Sequence, residues 1–205
     1  YVILSQECYG REAMDEQMLL QASKQGNAEA YNSLVLQYQT SIYNVALRMV
    51  GETAVAEDIT QETFVSAYRA LHTFSAGNFR AWLFRIATNA CRDHLRSAHV
   101  RRNTSLDALV ETPTFRVSSD DESPEDYTVR RELSSFIQDS LRQLPEDQRV
   151  VLVLVDIQAF SYEEAAQILK TPVGTVKSRL SRAREAMRAA LSTQRELLPS
   201  QFRSG

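Results

Sequence analysis

Apolar residues at helical spacing, separated by helix-capping residues, are the feature that most constrains the fold. Between residues 28 and 50 they recur every three or four positions, from Tyr31 and Leu34 through Tyr38 and Ile42 to Met49. This spacing places them on one face of an α-helix. Similar runs predict further helices at about 15–24, 54–71, 79–98, 124–144, 145–155, 162–169 and 172–191. No segment shows a convincing strand pattern, and the sequence therefore predicts an all-α fold.

Residues that start and end helices mark the boundaries between these runs. Ser161 and Glu164 form a capping box, in which each side chain accepts a hydrogen bond from the other residue's backbone amide. Gly51 follows the second run and is expected to end it. The remaining predicted N-caps are Asp15, Asn27, Ser123 and Thr171, with Pro124 and Pro172 at first helical positions.

Charge divides the chain into segments, although the net charge is only −3. Residues 80–102 carry six arginines against one aspartate, and residues 170–188 carry six bases against one glutamate. Residues 103–127 carry seven acids against one arginine and have no helical period. We therefore predict two small helical domains, at 15–102 and 128–192, joined by a flexible acidic linker at 103–127. The expected amino-terminal extension is 1–14, and the expected tail is 193–205.

Composition narrows the class of protein. No apolar run approaches the roughly 20 residues that span a membrane, so no membrane insertion is expected. Cys8 and Cys91 lack metal-ligand spacing, and a reducing, cytoplasmic setting is expected. The sequence holds no P-loop, GxGxxG, HExxH or GxSxG motif, and its three histidines lack a companion nucleophile. We expect no catalysis, no cofactor and no metal.

The segment 161–184 combines a short capped helix, a tight turn and a basic helix. This is the pattern of a helix-turn-helix, whose second helix fits the major groove of DNA. Small residues early in that helix, such as Gly174 and Ser178, allow a close approach to the bases. The alternative is a helical hairpin in a bundle, with its basic face in solvent.

Two weaker signals lie in the amino-terminal half. Asp58, Gln61 and Glu62 share one helix face, which suits docking to a basic helical partner or simple exposure to solvent. Aromatic residues surround the break at 75–78 next to arginines, as binding of single-stranded DNA requires. We expect Trp82 to be a core residue, whereas Phe74 and Phe79 remain open between core and base stacking.

These signals occur in the order found in a known family. The chain resembles the extracytoplasmic-function sigma factors of the sigma-70 family over about residues 15–191. The matching segments are AEDITQETFVSAYRAL (56–71), FRAWLFRIATNACRDHLR (79–96), LPEDQRVVLVL (144–154) and SYEEAAQILKTPVGTVKSRLSRARE (161–185). The resemblance implies a factor that guides core RNA polymerase to −10 and −35 promoter elements, contacting both duplex and single-stranded DNA. It also implies docking to the β′ coiled coil and β flap of the polymerase, and inhibition by an anti-sigma factor.

The resemblance also implies roles for individual residues. Contacts with the polymerase would fall to Asp58, Gln61, Glu62 and Val65. The −10 region would be bound by Phe74, Asn78, Phe79, Arg80, Arg85, Asn89, Arg92 and Arg96. The −35 element would be bound by Thr175, Lys177, Ser178, Arg179, Ser181, Arg182 and Arg184, with Arg179 and Arg184 on phosphates. Residues 75–78 depart from the family, because relatives often carry an Arg-Gly-acid run and one more residue there.

Two other classes of protein fit parts of the pattern. A conventional regulator with a carboxy-terminal helix-turn-helix would bind duplex operators without polymerase, usually as a dimer. A pure interaction protein would use the acidic face at 58–62 and would tolerate neutralisation of the carboxy-terminal arginines.

Overall fold

The computed structural model describes the backbone at residues 16–104 and 124–193, and the side chains at 16–100 and 132–193. Its α-helices are α1 (16–24), α2 (Ala28–Val50), α3 (Thr53–Ala70), α4 (Phe79–Thr104), α5 (Pro124–Gln143), α6 (Glu146–Leu152), α7 (Tyr162–Leu169) and α8 (Val173–Ser192). A 3-10 turn, Leu71–Thr73, follows α3, and a π-helical turn, Val153–Ile157, follows α6. No strand occurs in these described ranges. The all-α prediction is confirmed.

Helices α2, α3 and α4 form the core of the amino-terminal half. Ile42, Val45, Met49, Leu83 and Phe84 are fully buried where these helices meet. As predicted, Asn27 caps α2 by accepting a hydrogen bond from the Ala30 amide at 3.1 Å. Gly51 ends α2 in the left-handed conformation with φ 81°, which favours glycine.

Helices α5 to α8 form the carboxy-terminal half. Val150, Val151 and Leu154 are fully buried, in line with the predicted core run, and Val176 and Leu180 pack α8 against α6 and α7. The capping box is present, with Ser161 and Glu164 exchanging hydrogen bonds of 2.9 and 3.1 Å.

Some predicted boundaries need correction. Thr171 does not cap α8: Pro172 is the N-cap residue, and the helix begins at Val173 without a side-chain cap. Lys170 makes the turn before it in the left-handed conformation, with φ 50°. Helix continues to Thr104 and resumes at Pro124, so both ends of the predicted linker 103–127 are helical. The caps expected at Asp15 and Ser123, the extension 1–14 and residues 105–123 and 194–205 lie outside the described residues.

The two halves pack against each other and share one continuous apolar core. Helix α4 lies against α7, and α2 lies against α5 and α6. At the α2 junction, the buried Arg149 donates to the carbonyl oxygens of Met49, Arg142 and Leu144, so its guanidinium joins the ends of two helices. Burial lowers the pKa of Arg149 from its usual value. This association of the two predicted domains is not encoded in any local pattern.

Candidate nucleic-acid interface

The outward face of α8 is cationic and free of apolar bulk. Lys177, Ser178, Ser181 and Arg182 are exposed, while Val176, Leu180 and Ala183 bury the opposite face. Short side chains therefore alternate with long bases along one side of a helix that is anchored from behind. Such a helix can enter a major groove about 12 Å wide.

The arginines of α8 differ in whether they already have a hydrogen-bond partner. Arg184 makes two hydrogen bonds to the Asp156 carboxylate, at 2.9 and 2.6 Å, and this contact raises the pKa of Arg184 above its usual value. Arg179 is half-buried and donates to Asp147 at 2.5 Å. Among described residues, Arg182 has no hydrogen-bond or ion-pair partner. Arg182 is thus the arginine best placed to reach a base edge.

Loop 74–78 forms one wall of an open recess between the two halves, and Gln167 and Ile168 of α7 also line it. The recess is lined by Asn78, Trp82 and Arg85, together with backbone from Gly77. Gly77 has φ 115°, which a residue with a side chain rarely adopts. The Asn78 side chain accepts a hydrogen bond from the Ala81 amide at 2.9 Å and so caps the start of α4. An aromatic ring, an amide and a guanidinium therefore face one cavity.

The structure places Phe74 and Phe79, which the sequence left open between core and base stacking, in the core. Their side chains are 9% and 2% exposed, and their rings pack against each other and against Trp82. Rings buried in this way support the loop, and Phe74 also lines the recess. Trp82 packs against the core as predicted, but it is only half-buried and also lines the recess. The sequence feature that points to the recess is the position of Trp82 close to the break at 75–78.

The remaining α4 residues are spread along the helix. Arg85 reaches the recess, Asn89 is exposed one turn further on, and Arg96 lies 3.6 Å from Asp93. Arg80 and Arg92 instead turn towards the carboxy-terminal half and contact it directly. The structure therefore brings only part of the predicted −10 set together at one opening.

The acidic face of α3 is exposed as its spacing predicts. Asp58, Gln61, Glu62 and Val65 all lie in solvent. Asp58 and Glu62 also line a groove between α3 and α4, with Val100 on its far wall. Tyr68 is 48% exposed one turn beyond Val65 and extends this face.

Two helical modules, one with an exposed basic helix and one with an aromatic recess beside arginines, are features typical of a nucleic-acid-binding protein. Comparison with known proteins gives the family. Sigma-70 region 2 matches residues 34–101, and Sigma-70 region 4 matches residues 137–187. The chain belongs to the extracytoplasmic-function sigma factors of the sigma-70 family, which direct promoter recognition and transcription initiation.

Several relatives are similar over most of their length. The chain is 39% identical to the RNA polymerase sigma-H factor of Pseudomonas aeruginosa, over 86% of this chain and 93% of that protein. It is 40% identical to the ECF RNA polymerase sigma factor SigW of Bacillus subtilis, over 82% and 92% respectively.

Solved structures show the same architecture. The sigma factor RpoE of Bartonella quintana, crystallised with the anti-sigma factor NepR, superposes with a TM-score of 0.68 at 25% identity, covering 80% of this chain and 98% of that one. CnrH, in complex with the cytosolic domain of CnrY, superposes with a TM-score of 0.64 at 27% identity, covering 87% and 98%.

The described ranges lack two further features. None of their helices is both long and apolar enough to cross a membrane. Within the same ranges, no three His, Cys, Asp or Glu side chains converge in a way that could hold a metal ion.

Proposed function

We propose that three separate surfaces divide the work of initiation: α8 reads the −35 element, the recess at loop 74–78 holds the −10 strand, and the α3 face docks to core polymerase. The observation that carries this proposal is the exposed outward face of α8, whose back is buried against its own module. The factor acts in the cytoplasm beside the polymerase and has no catalytic role of its own.

The −35 element is read by Lys177, Ser178, Ser181 and Arg182. A bidentate arginine contact to guanine distinguishes it from other bases by about 1–3 kcal/mol. Arg179 and Arg184 already pair with Asp147 and Asp156, and Thr175 is half-buried in the first turn of α8. These three residues suit phosphate contacts, which position the protein without specifying sequence.

The −10 strand enters the recess lined by Asn78, Trp82 and Arg85. Extruding one base from a duplex costs a few kcal/mol, which stacking and hydrogen bonding in a pocket must offset. Trp82 supplies the ring and Asn78 the amide, while Arg85, Asn89 and Arg96 follow the phosphates along α4.

The polymerase docks on Asp58, Gln61, Glu62 and Val65. A face with two carboxylates around an exposed valine suits a basic helical partner such as the β′ coiled coil, and the carboxy-terminal half is the expected partner of the β flap. Both structural relatives are described in complexes, one with the anti-sigma factor NepR. An anti-sigma factor is therefore a proposed partner of this chain.

Separate substitutions of two neighbouring acidic residues of α3 test the docking face. Asp58→Asn removes a charge from that face, while Glu57→Gln removes one from the next exposed position of the same helix. We expect Asp58→Asn to weaken association with core polymerase about tenfold, equal to roughly 1.4 kcal/mol. Glu57→Gln is expected to bind like the parent. Equal affinities for the two variants would contradict the assignment.

A further inference from the structure

The π-helical turn that follows α6 carries an acidic side chain that pairs with α8. Asp156 lies in this turn, Val153–Ile157. Its two carboxylate oxygens accept hydrogen bonds from Nε and a terminal nitrogen of Arg184, at 2.9 and 2.6 Å. A carboxylate matches the planar fork of an arginine, so this two-point contact fixes the orientation of the guanidinium. Asp156 itself is outside the set of residues proposed to touch DNA.

Tyr162, the first residue of α7, supports the same arginine from a second element. The Asp156 carboxylate and, to a smaller extent, a hydrogen bond with Tyr162 raise the pKa of Arg184 above its usual value. The half-buried Tyr162 ring also lies close to Lys177, whose Nζ is 5.6 Å from the ring centroid. A cation at this distance from an aromatic ring is attracted to it. Two bases of α8 are therefore positioned by side chains that come from outside α8.

Folding stability is a weak explanation for the pair of Asp156 and Arg184. Their side chains are 32% and 46% exposed, and exposed ion pairs contribute little to stability because water and salt screen them. The inner face of α8 is already anchored by the buried Val176, Leu180 and Ala183. The main effect of Asp156 is thus on the charge and the orientation of Arg184.

An unpaired arginine at this place would attract DNA of any sequence. Contacts between cations and phosphates supply essentially all of the non-specific affinity of DNA-binding proteins. A mobile arginine reaches phosphates in many registers of α8 on the duplex, whereas a fixed one meets a phosphate in few. The pair occupies two of the five N–H donors of Arg184, so donors remain for a phosphate in the favoured register.

We propose that Asp156 is a specificity-determining residue for −35 recognition, which offsets the charge of Arg184 and holds its guanidinium in one orientation, with Tyr162 as a second support. This arrangement limits the sequence-independent attraction of α8 to DNA, so that base contacts decide where the factor binds. Asp156 is a positioning residue, because it acts on DNA only through Arg184. The inference rests on the proposed function, since that function assigns α8 to the −35 element.

Selection of promoter DNA by the complex with core polymerase tests the role of Asp156. The probe is DNA from a start site that the parent chain specifies, with its −35 hexamer randomised. Sequencing of the retained DNA gives the enrichment of the preferred hexamer over the average one. We expect Asp156→Asn to lower this enrichment by about threefold, because specificity is a difference between two affinities. Asp156→Glu can still pair with Arg184 and should keep the parent enrichment.

Asp139→Asn is the matched control. It removes the same charge from an exposed aspartate of the same half, which pairs with Arg142 along α5 at 3.8 Å. The control should select the same hexamer as the parent, with the same enrichment. An equal loss of enrichment in Asp139→Asn and Asp156→Asn would overturn the proposal, because a general charge effect would then explain both.

The salt dependence of binding shows whether the substitution frees Arg184. Each phosphate that a protein neutralises adds about 0.9 to the slope of log K against log salt concentration on B-DNA. On a mixed-sequence duplex without a promoter, Asp156→Asn should therefore steepen the slope of the polymerase complex by up to about 0.9. A loss of folding stability alone would leave this slope unchanged. An unchanged slope together with an unchanged enrichment would overturn the proposal.

A double-mutant cycle tests whether Asp156 acts through Arg184. In an Arg184→Ala background, Asp156→Asn should no longer change the enrichment, since the arginine that Asp156 holds is absent. An equal drop in both backgrounds would overturn the proposal. Failure of the proposed function gives a different result, because the parent complex itself would then show no preferred −35 hexamer. A parent with a clear preference and an Asp156→Asn variant that matches it would overturn the role of Asp156 alone.

Discussion

The arginines of α8 differ in whether an acidic side chain already pairs with them. Arg184 is fixed by Asp156 and Arg179 by Asp147, whereas Arg182 has no polar partner among the described side chains. An arginine that keeps an acidic partner offers fewer free donors to a base. The family resemblance already assigned Arg179 and Arg184 to phosphates, and their acidic partners supply a physical reason for that division.

Arg182→Ala should reduce discrimination at one position of the −35 element by about 1–3 kcal/mol. Arg188→Ala removes the same charge from an exposed position further along α8, outside the predicted contact set. Promoter competition with core polymerase should therefore show altered sequence preference only for Arg182→Ala. Both variants should keep the parent stability within roughly 0.5 kcal/mol, because both side chains are exposed. The same shift in preference for Arg188→Ala would indicate a general charge effect.

Cys91 should be chemically inert in the folded chain. Burial raises the pKa of its thiol to about 12, and only the thiolate is nucleophilic. In a Cys8→Ser background, a thiol reagent at pH 8 should label Cys91 only after denaturant is added. Labelling at the same rate with and without denaturant would contradict its burial.

The same burial predicts a stability change at alkaline pH. The pKa of the Cys91 thiol is higher in the folded chain than in the unfolded chain, so proton binding by this thiol stabilises the folded state. This stabilisation is complete below about pH 8.5 and is lost as pH rises towards 12. In denaturant titrations across that pH window, the free energy of unfolding should fall less steeply for Cys91→Ala than for the parent. If the free energy of unfolding fell equally with pH in parent and variant, the Cys91 thiol would not contribute to this pH dependence.

At the scale of elements, local signals predicted most of the helices and some of their ends. Asn27, Gly51 and the Ser161–Glu164 box act as expected because capping needs only neighbouring residues. The start of α8 was wrong by one residue, since Pro172 fits the N-cap position as well as the first helical one. The predicted end of α4 at 98 was six residues early, since the helix continues to Thr104.

Loss of the capping box should weaken the helix-turn-helix. Ser161→Ala removes the hydroxyl that accepts the Glu164 amide at 3.1 Å, and such a loss typically costs about 1 kcal/mol. The melting temperature should fall by roughly 2–4 °C in a chain of this size. Ser33→Ala, in the exposed middle of α2, is the control and should leave the melting temperature unchanged or slightly raised. An equal fall for both would argue against the cap.

At the scale of the whole molecule, the sequence predicted two modules but not their association. Phe84 and Phe160 each read as core residues of their own half, and nothing local indicates that their rings meet. Arg80 and Arg92 read as free cations for the same reason. Contacts between residues more than 50 positions apart depend on the complete fold. The sequence therefore indicated where the recess lies, but not that α7 lines it.

A shared core should make the halves unfold together. Trp82 is the only tryptophan and lies in the amino-terminal half beside the recess that α7 also lines, so its fluorescence reports that half and its junction with α7. Fluorescence and far-UV circular dichroism should give coincident transitions for the parent chain. Phe160→Ala, which removes a ring that is 2% exposed at the junction, should separate the two curves. Separate transitions in the parent would show that the halves are independent.

The most direct test of the sigma assignment is start-site mapping in vitro with purified chain and core RNA polymerase on fragmented genomic DNA. Transcripts should begin at a limited set of sites that share −35 and −10 elements, and these sites should be absent when core enzyme acts alone. Initiation at the same sites with and without the chain would contradict the account.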